Sequence, residues 1–208
     1  MKEGLQACQA TFPLMAVWPY ALERIGRGEN LNEIAAAMAR QTQAVINIGT
    51  AALKQYSAVL TLSNSSLVRQ SLIACKRRLV YCAESQPGGE GYLLAESLRQ
   101  EGVKALIVED ERTPQIMAEA DIILLGADQY DDSGFINKVG SRRLAELAGA
   151  LDKPVLVLAE GFKRVARLPH LIPELARLEV KAGGEILRQT IFELVPWRPH
   201  VRLVSDEE

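Results

Sequence analysis

The apolar positions of this 208-residue chain change their period near residue 56. Before that point they recur at helical spacing: Leu31, Ile34, Ala35 and Met38 share a face, with Asn30 placed to cap and Glu33 in the first turn. This predicts a helix from Leu31 to about Gly49, resuming to about Gln55. A second helix is predicted over 13–25, stopped by Gly26-Arg27-Gly28. After residue 56, short apolar runs at 58–62, 79–83, 105–108, 122–125 and 155–159 read as strands. Helical stretches at 67–76, 91–100, 114–118 and 141–151 separate them, and a run at 191–195 offers one more strand. Such alternation comes from right-handed crossovers in a mostly parallel sheet. The chain is therefore expected to be α/β, with a helical N-terminal segment at 1–55 and an α/β domain at 56–208.

Composition narrows the function classes. A net charge of −2 gives no general attraction to nucleic acid or anionic membrane, so neither partner is expected. No apolar run reaches the roughly 18 residues of a membrane span. The sequence after Met1 does not read as a signal peptide, and a cytoplasmic location is expected. Cys8, Cys75 and Cys82 lack paired metal spacing, and Cys75 and Cys82 read as buried thiols. His170 and His200 fall in proline-flanked, loop-like sequence and read as surface residues.

Chemistry concentrates where the strands end, the edge at which open α/β sheets hold ligands. The run at 122–125 stops at Gly126-Ala127-Asp128. A glycine-punctuated segment from Ser133 to Ser141 follows, read as a loop carrying Asn137 and Lys138. After the first strand, Ser63, Asn64, Ser65 and Ser66 open a helix. Hydroxyls beside free helix N–H groups suit a phosphate-like anion, and ordinary N-capping by one serine is the simpler alternative. After the second strand, Glu84-Ser-Gln86-Pro-Gly-Gly-Glu-Gly91 carries glycines that let backbone approach a ligand. Glu84, Asp110, Asp128 and Glu160 all lie at or near strand ends and point to a shared pocket. Asn137, Lys138 and Lys163 would offset their charge and hold an anionic substrate. The acids lack diagnostic metal spacing, so no metal and no cofactor is expected. Asp128 is expected to have a raised pKa through desolvation and neighbouring carboxylates, opposed by Lys138.

In order, Thr61-x-Ser63-x-Ser65, Glu84-Ser-x-Pro87 with Glu90-Gly91, Gly126-Ala-Asp128, Asn137-Lys-Val-Gly-Ser141 and Ala159-Glu-x-x-Lys163 carry a resemblance. They resemble the alpha/beta/delta subunits of translation initiation factor 2B and two related enzymes, methylthioribose-1-phosphate isomerase and ribose-1,5-bisphosphate isomerase. The resemblance covers about residues 56–196, including Phe192-Glu-Leu-Val-Pro196. It implies a Rossmann-like α/β domain behind a helical N-terminal part, and a homodimer. The family's enzymes isomerise a phosphorylated aldose to a ketose with a cysteine and an aspartate. Asp128 matches that aspartate, and Asn137 and Lys138 match residues that hold substrate. Ser63 stands at the cysteine, and its hydroxyl is a far weaker acid than a thiol of pKa about 8.5. Gln86 replaces the arginine expected before Pro87, and Arg27-Gly28-Glu29 half matches an Arg-Gly-Ala phosphate loop.

The expected function is an initiation-factor-2B-like protein binding a phosphorylated small molecule, a sugar phosphate or nucleotide. Ser63, Asn64, Ser65, Glu84, Gln86, Asn137, Lys138 and Lys163 are its expected ligand-binding residues. One alternative is an aldose–ketose isomerase of altered mechanism, with Asp128 and Ser63 catalytic. Another is an interaction or regulatory subunit whose pocket is vestigial.

Overall fold

A computed structural model describes residues 2–76, 79–171, 177–182 and 185–207. Helices α1 (Lys2–Thr11), α2 (Val17–Gly26) and α3 (Leu31–Leu53) come first. The α/β part follows as β1 (Ala58–Thr61), α4 (Ser66–Ala74), β2 (Leu79–Ala83), α5 (Glu90–Gln100), β3 (Lys104–Val108), α6 (Thr113–Glu119) and β4 (Ile122–Gly126). Then come β5 (Gln129–Asp131), β6 (Gly134–Lys138), α7 (Ser141–Ala150) and β7 (Val155–Leu158). The chain closes with β8 (Arg177–Ala182), β9 (Glu185–Thr190), β10 (Phe192–Pro196) and β11 (Val201–Val204).

The main sheet has six strands in the order β11-β7-β4-β1-β2-β3, with every pairing parallel. Both faces are covered, which is why its central strands read as unbroken apolar runs. Val59, Val80, Leu124 and Leu156 meet Val45, Ile46 and Leu53 of α3, Leu67 and Leu72 of α4, and Leu94 and Leu98 of α5. Alternate residues Leu60, Tyr81, Ile123 and Val157 face Met117 of α6 and Leu144 and Ala148 of α7. The last turns of α3 thus share one core with the sheet.

Local sequence sets the helix limits. Asn30 accepts from the N–H groups of Asn32 and Glu33 while Glu33 reaches back to the Asn30 N–H, a complete capping box. The expected break at Gly49 is absent. That glycine lies where Leu158 presses on α3, and a β-carbon there would sit 3.1 Å from its side chain. The expected helix over 13–25 begins only at Val17, because Pro13 to Ala16 turn the chain out of α1, a helix the pattern did not announce.

The segment after Asp128 is a correction. Residues 133–141, expected as a loop, contain β6, whose antiparallel partners are β5 and β10. Asp131 Oδ1 closes the hairpin turn by accepting from Ser133 N (2.7 Å), Ser133 Oγ (2.6 Å) and Gly134 N (3.2 Å). The run at 191–195 does become a strand, but in this three-stranded sheet. Phe135 and Val195 bind the small sheet to the α6–α7 side of the core.

Cys82 is buried, with its thiol pushed up to about 12 by desolvation. Cys75 is half-buried beside α3, donating to Thr50 O. His200, expected at the surface, is half-buried against α7 with Nε2 2.8 Å from Ala145 O. No described helix is long and apolar enough to cross a membrane.

Candidate functional site

The carboxyl ends of β7, β4 and β1 open into a cavity of about 480 Å³. Ser63, Asn64, Ser65, Asp128, Asn137, Lys138 and Lys163, all singled out from the sequence, line it, as does Glu160. The N-terminal segment supplies part of its wall through Met15, Ala16, Val17 and Met38.

Close packing positions the loop after β1. Ser63 has φ +67, a left-handed conformation that non-glycine residues seldom adopt. Ser63 N donates to Ser85 Oγ at 2.7 Å, and the buried Ser85 hydroxyl donates onward to Ala83 O at 2.9 Å. A β-carbon at Gly126 would lie 2.7 Å from Ser65 Oγ, so only glycine lets β4 approach the start of α4 this closely. Ser65 is the N-cap of α4, accepting from Val68 N at 3.4 Å, so the simple capping alternative holds for this serine. The N–H groups of Ser66 and Leu67 have no acceptor among the described residues. The helix therefore offers donors and the positive end of its dipole at the cavity. Asn64 Oδ1 is buried there without a hydrogen-bond partner among the described residues.

Asp128 follows β4, its N–H donating to Ile136 O at 2.9 Å. Among the described residues its carboxylate accepts no hydrogen bond. Desolvation raises its pKa from 3.8 to about 6, while Lys163 pulls the other way. The expected direction holds, but Lys163 takes the part expected of Lys138, and neighbouring carboxylates play none. A carboxyl that titrates near 6 can carry or accept a proton close to neutral pH.

Both lysines are already paired. Lys138 Nζ is 2.6 and 2.8 Å from the two carboxylate oxygens of Glu90 and also donates to Pro87 O. Lys163 Nζ lies 3.0 Å from Glu160 Oε2, an ion pair outside hydrogen-bond alignment. Glu160 Oε1 accepts from Thr42 Oγ1 at 3.1 Å, which ties α3 to the site. Asn137 Nδ2 donates to Ser141 Oγ at 2.9 Å, and that hydroxyl donates to Lys138 O at 2.7 Å, fixing the end of β6.

Two of the expected ligand-binding residues stand elsewhere. Glu84 accepts from the Tyr92 hydroxyl and does not line the cavity. Gln86 is exposed at a separate hollow of about 160 Å³ that Asp110 and Arg143 also border. Asp110 accepts from Ser85 N (2.8 Å) and Gln86 N (2.7 Å), so its carboxylate grips the loop backbone and does not line the cavity. The pocket shared by acids at four strand ends is thus reduced to Asp128 and Glu160, joined by Glu90. Arg27 pairs with Glu23 on an exposed helix end and does not line the cavity. In the sequence Glu90 stands out only as part of a motif, and Thr42 carries no signal. Among the described residues, no group of three His, Cys, Asp or Glu side chains is arranged to hold a metal.

The Initiation factor 2 subunit family matches residues 24–184. The ribose 1,5-bisphosphate isomerase of Methanocaldococcus jannaschii is 26% identical to the chain, over 81% of it and 59% of the enzyme. That of Archaeoglobus fulgidus is 27% identical, over 80% of this chain and 58% of the enzyme. The chain therefore spans less than two thirds of these relatives' length. Among solved structures, the translation initiation factor eIF-2B of Pyrococcus horikoshii OT3 matches with a TM-score of 0.85 at 23% identity, covering 99% of this chain and 80% of its own. The 5-methylthioribose 1-phosphate isomerase of the same organism matches at 0.69 and 18% identity, covering 90% and 65%. These two likenesses concern the fold. The family match spans most of the chain and includes β1 to β7 with every residue of the cavity's strand-end loops, and on that ground the protein belongs to the Initiation factor 2 subunit family.

Proposed function

We propose that this chain binds a phosphorylated small molecule, a sugar phosphate or nucleotide, in the cavity at the strand ends, without thiol-dependent isomerisation. The observation that carries this reading is the convergence of Ser63, Asn64, Ser65, Asp128, Asn137, Lys138 and Lys163 on one cavity beside the open N–H groups of α4. A phosphate suits the start of α4, where Ser66 N and Leu67 N can donate and Lys163 supplies charge. Sugar hydroxyls suit Asp128, Glu90 and Asn64 Oδ1, which offer acceptors. Ser63 in place of a thiol removes the group that would exchange a proton most readily.

Thermal melting with ribose 5-phosphate, adenosine monophosphate and inorganic phosphate tests the reading. A ligand present at 100 times its Kd adds about 2.7 kcal/mol to the native state. At least one ester should raise the melting temperature, and Ser65→Ala with Lys163→Gln should abolish the rise. If no ester stabilises the protein, an interaction subunit with a vestigial pocket is the better account.

One feature favours isomerisation as a second reading: burial pushes the Asp128 carboxyl up to about 6, where it can move a proton. An NMR assay of aldose–ketose conversion separates the two. Under isomerisation, Asp128→Asn removes turnover and Ser63→Cys increases it; under binding alone, wild-type protein turns over no pentose phosphate. A homodimer is also proposed, and sedimentation as a 22.8 kDa species at micromolar concentration would oppose it.

A further inference from the structure

The turn that presents Lys163 is held by side chains from distant parts of the chain. Gly161–Lys163 form a single 3-10 turn after β7. The first N–H groups of such a turn have no acceptor within it and must find one elsewhere. Gly161 N donates to Asp206 Oδ1 at 2.6 Å, and Phe162 N donates to Gln41 Oε1 at 3.1 Å. Gln41 belongs to α3, and Asp206 follows β11. Because β11, β7 and β4 are consecutive neighbours in the sheet, Asp206, the turn and Asp128 stand side by side at the strand ends.

The same turn divides two cavities. Glu160 and Lys163 line the strand-end cavity, whereas Gly161 and Arg164 line a second hollow of about 280 Å³ with Tyr20, Gln41 and Glu207. Phe162 borders both, its ring 5.5 Å from that of Tyr20. With a hollow on each side, the turn depends on its hydrogen bonds for its place. Asp206 supplies the stronger of the two side-chain bonds, a short one to a carboxylate. The N–H it holds belongs to the peptide that joins Glu160 to Gly161. That bond therefore orients both the acid paired with Lys163 and the turn that carries it. Neighbouring residues of the same segment secure the flanks. Ala159 N donates to Val204 O at 3.1 Å. The buried Ser205 hydroxyl lies 3.2 Å from that of Tyr130, whose carbonyl accepts from Val165 N at 2.9 Å.

Resting on the binding reading above for its consequence, we propose that Asp206 is a positioning residue for Lys163. By holding the Glu160–Gly161 peptide it keeps the ammonium at the cavity, so docking of the segment after β11 regulates the site's affinity for an anion. The coupling is reciprocal: an anion drawn to Lys163 also tightens residues 204–206 onto the turn.

NMR titration of the Asp128 carboxyl, without any ligand, tests the positioning directly. Of the charged groups that line the cavity, Lys163 is the one that pulls this carboxyl down against the rise that burial causes. Asp206→Ala should let Lys163 move off and raise the Asp128 pKa by at least about 0.5, as Lys163→Gln does, with no additional rise in the double variant. Loss of the Asp206 charge alone would act in the opposite direction, so the sign identifies the mechanism. Asp206→Asn, which keeps an oxygen for Gly161 N, should leave the pKa at or just below its wild-type value. A fall or no change in Asp206→Ala overturns the proposal. Should that variant fail to fold, hydrogen exchange in wild type decides: Gly161 N–H must be protected like the amides of β7, and free exchange there overturns the proposal.

Titration of ribose 5-phosphate at pH 7.5 tests the consequence. Asp206→Ala should weaken binding at least about fivefold and Asp206→Asn less than about twofold, and Asp206→Ala should add nothing in the Lys163→Gln background. Equal affinity in wild type and Asp206→Ala overturns the regulatory role. If wild type does not bind the ester, the binding reading falls, and the carboxyl titration still decides whether Asp206 places Lys163.

Discussion

Lys138 with Glu90 at one end of the cavity, and Lys163 with Glu160 at the other, are the same pair of charges in inverted settings. In the first the cation is buried and the acid reaches the cavity; in the second the acid is buried and the cation reaches it. The supports differ as well. Glu90 opens α5 directly before Gly91, which lies against backbone, and Lys138 ends a strand whose five residues are all buried. Lys163 sits on a short 3-10 turn, and Glu160 is steadied from α3 by Thr42. The buried member of each pair is fixed, so the exposed member determines what a ligand meets. Identical residue types thereby make one end an acceptor and the other a donor.

The largest expected effect tests the rigidity of the Glu90 end. A β-carbon at Gly91 would lie 1.8 Å from Ala83 O, with no flexible side chain to yield. Gly91→Ala should cost more than about 4 kcal/mol in urea melting or prevent folding. At the other end, Gly161→Ala would meet Glu207 Cγ at 2.7 Å, the movable part of an exposed side chain, and should cost less than about 1 kcal/mol. Similar losses at the two glycines would break the contrast.

Asp128, between the ends, should give the next effect. Its folded pKa of about 6 lies above the ordinary 3.8, so between these values the native state binds the proton more tightly than the unfolded chain. That contribution is fully present below about pH 4 and is lost as pH rises through about 6. Asp128→Asn does not titrate. It should gain on the order of 2 kcal/mol over wild type at pH 8 and almost nothing at pH 4, as read by melts across pH. A gain independent of pH would contradict the desolvation account.

Thr42→Val removes the hydrogen bond to Glu160 Oε1 and should cost about 1 kcal/mol, with weaker ligand affinity, if Glu160 positions Lys163. The smallest effect is expected at Arg27, whose guanidinium pairs with the exposed Glu23. Arg27→Ala should leave affinity for ribose 5-phosphate within about twofold of wild type. A large loss there would place a phosphate contact at the half-matched Arg27-Gly28 loop after all.

The parallel sheet was legible because its central strands are buried on both faces and stand between helices of clear period. The β5–β6 hairpin was not. Its residues are almost all buried, so no alternation marks it, and Gly134 finds its β10 partner only at Pro196. Most of the cavity's polar lining was legible because strand-end loops supply it, as Asp128, Ser63 and Lys163 illustrate. Glu84 and Asp110 look the same in sequence: a strand-end acid held by a tyrosine hydroxyl, or one that grips a loop backbone, cannot be told there from one that lines the cavity. Glu90 was hidden by ordinariness, since a glutamate in a helix's first turn already has a reason in the helix dipole. Thr42 is 118 residues from Glu160, and nothing local in α3 announces that contact.

The most direct test of the central claim is a calorimetric titration of ribose 5-phosphate into wild-type protein and Lys163→Gln at pH 7.5. Saturable binding to one site in wild type, weakened at least about tenfold in Lys163→Gln, is the predicted result. Absence of saturable heat in wild type, or equal affinity in the two proteins, would contradict it.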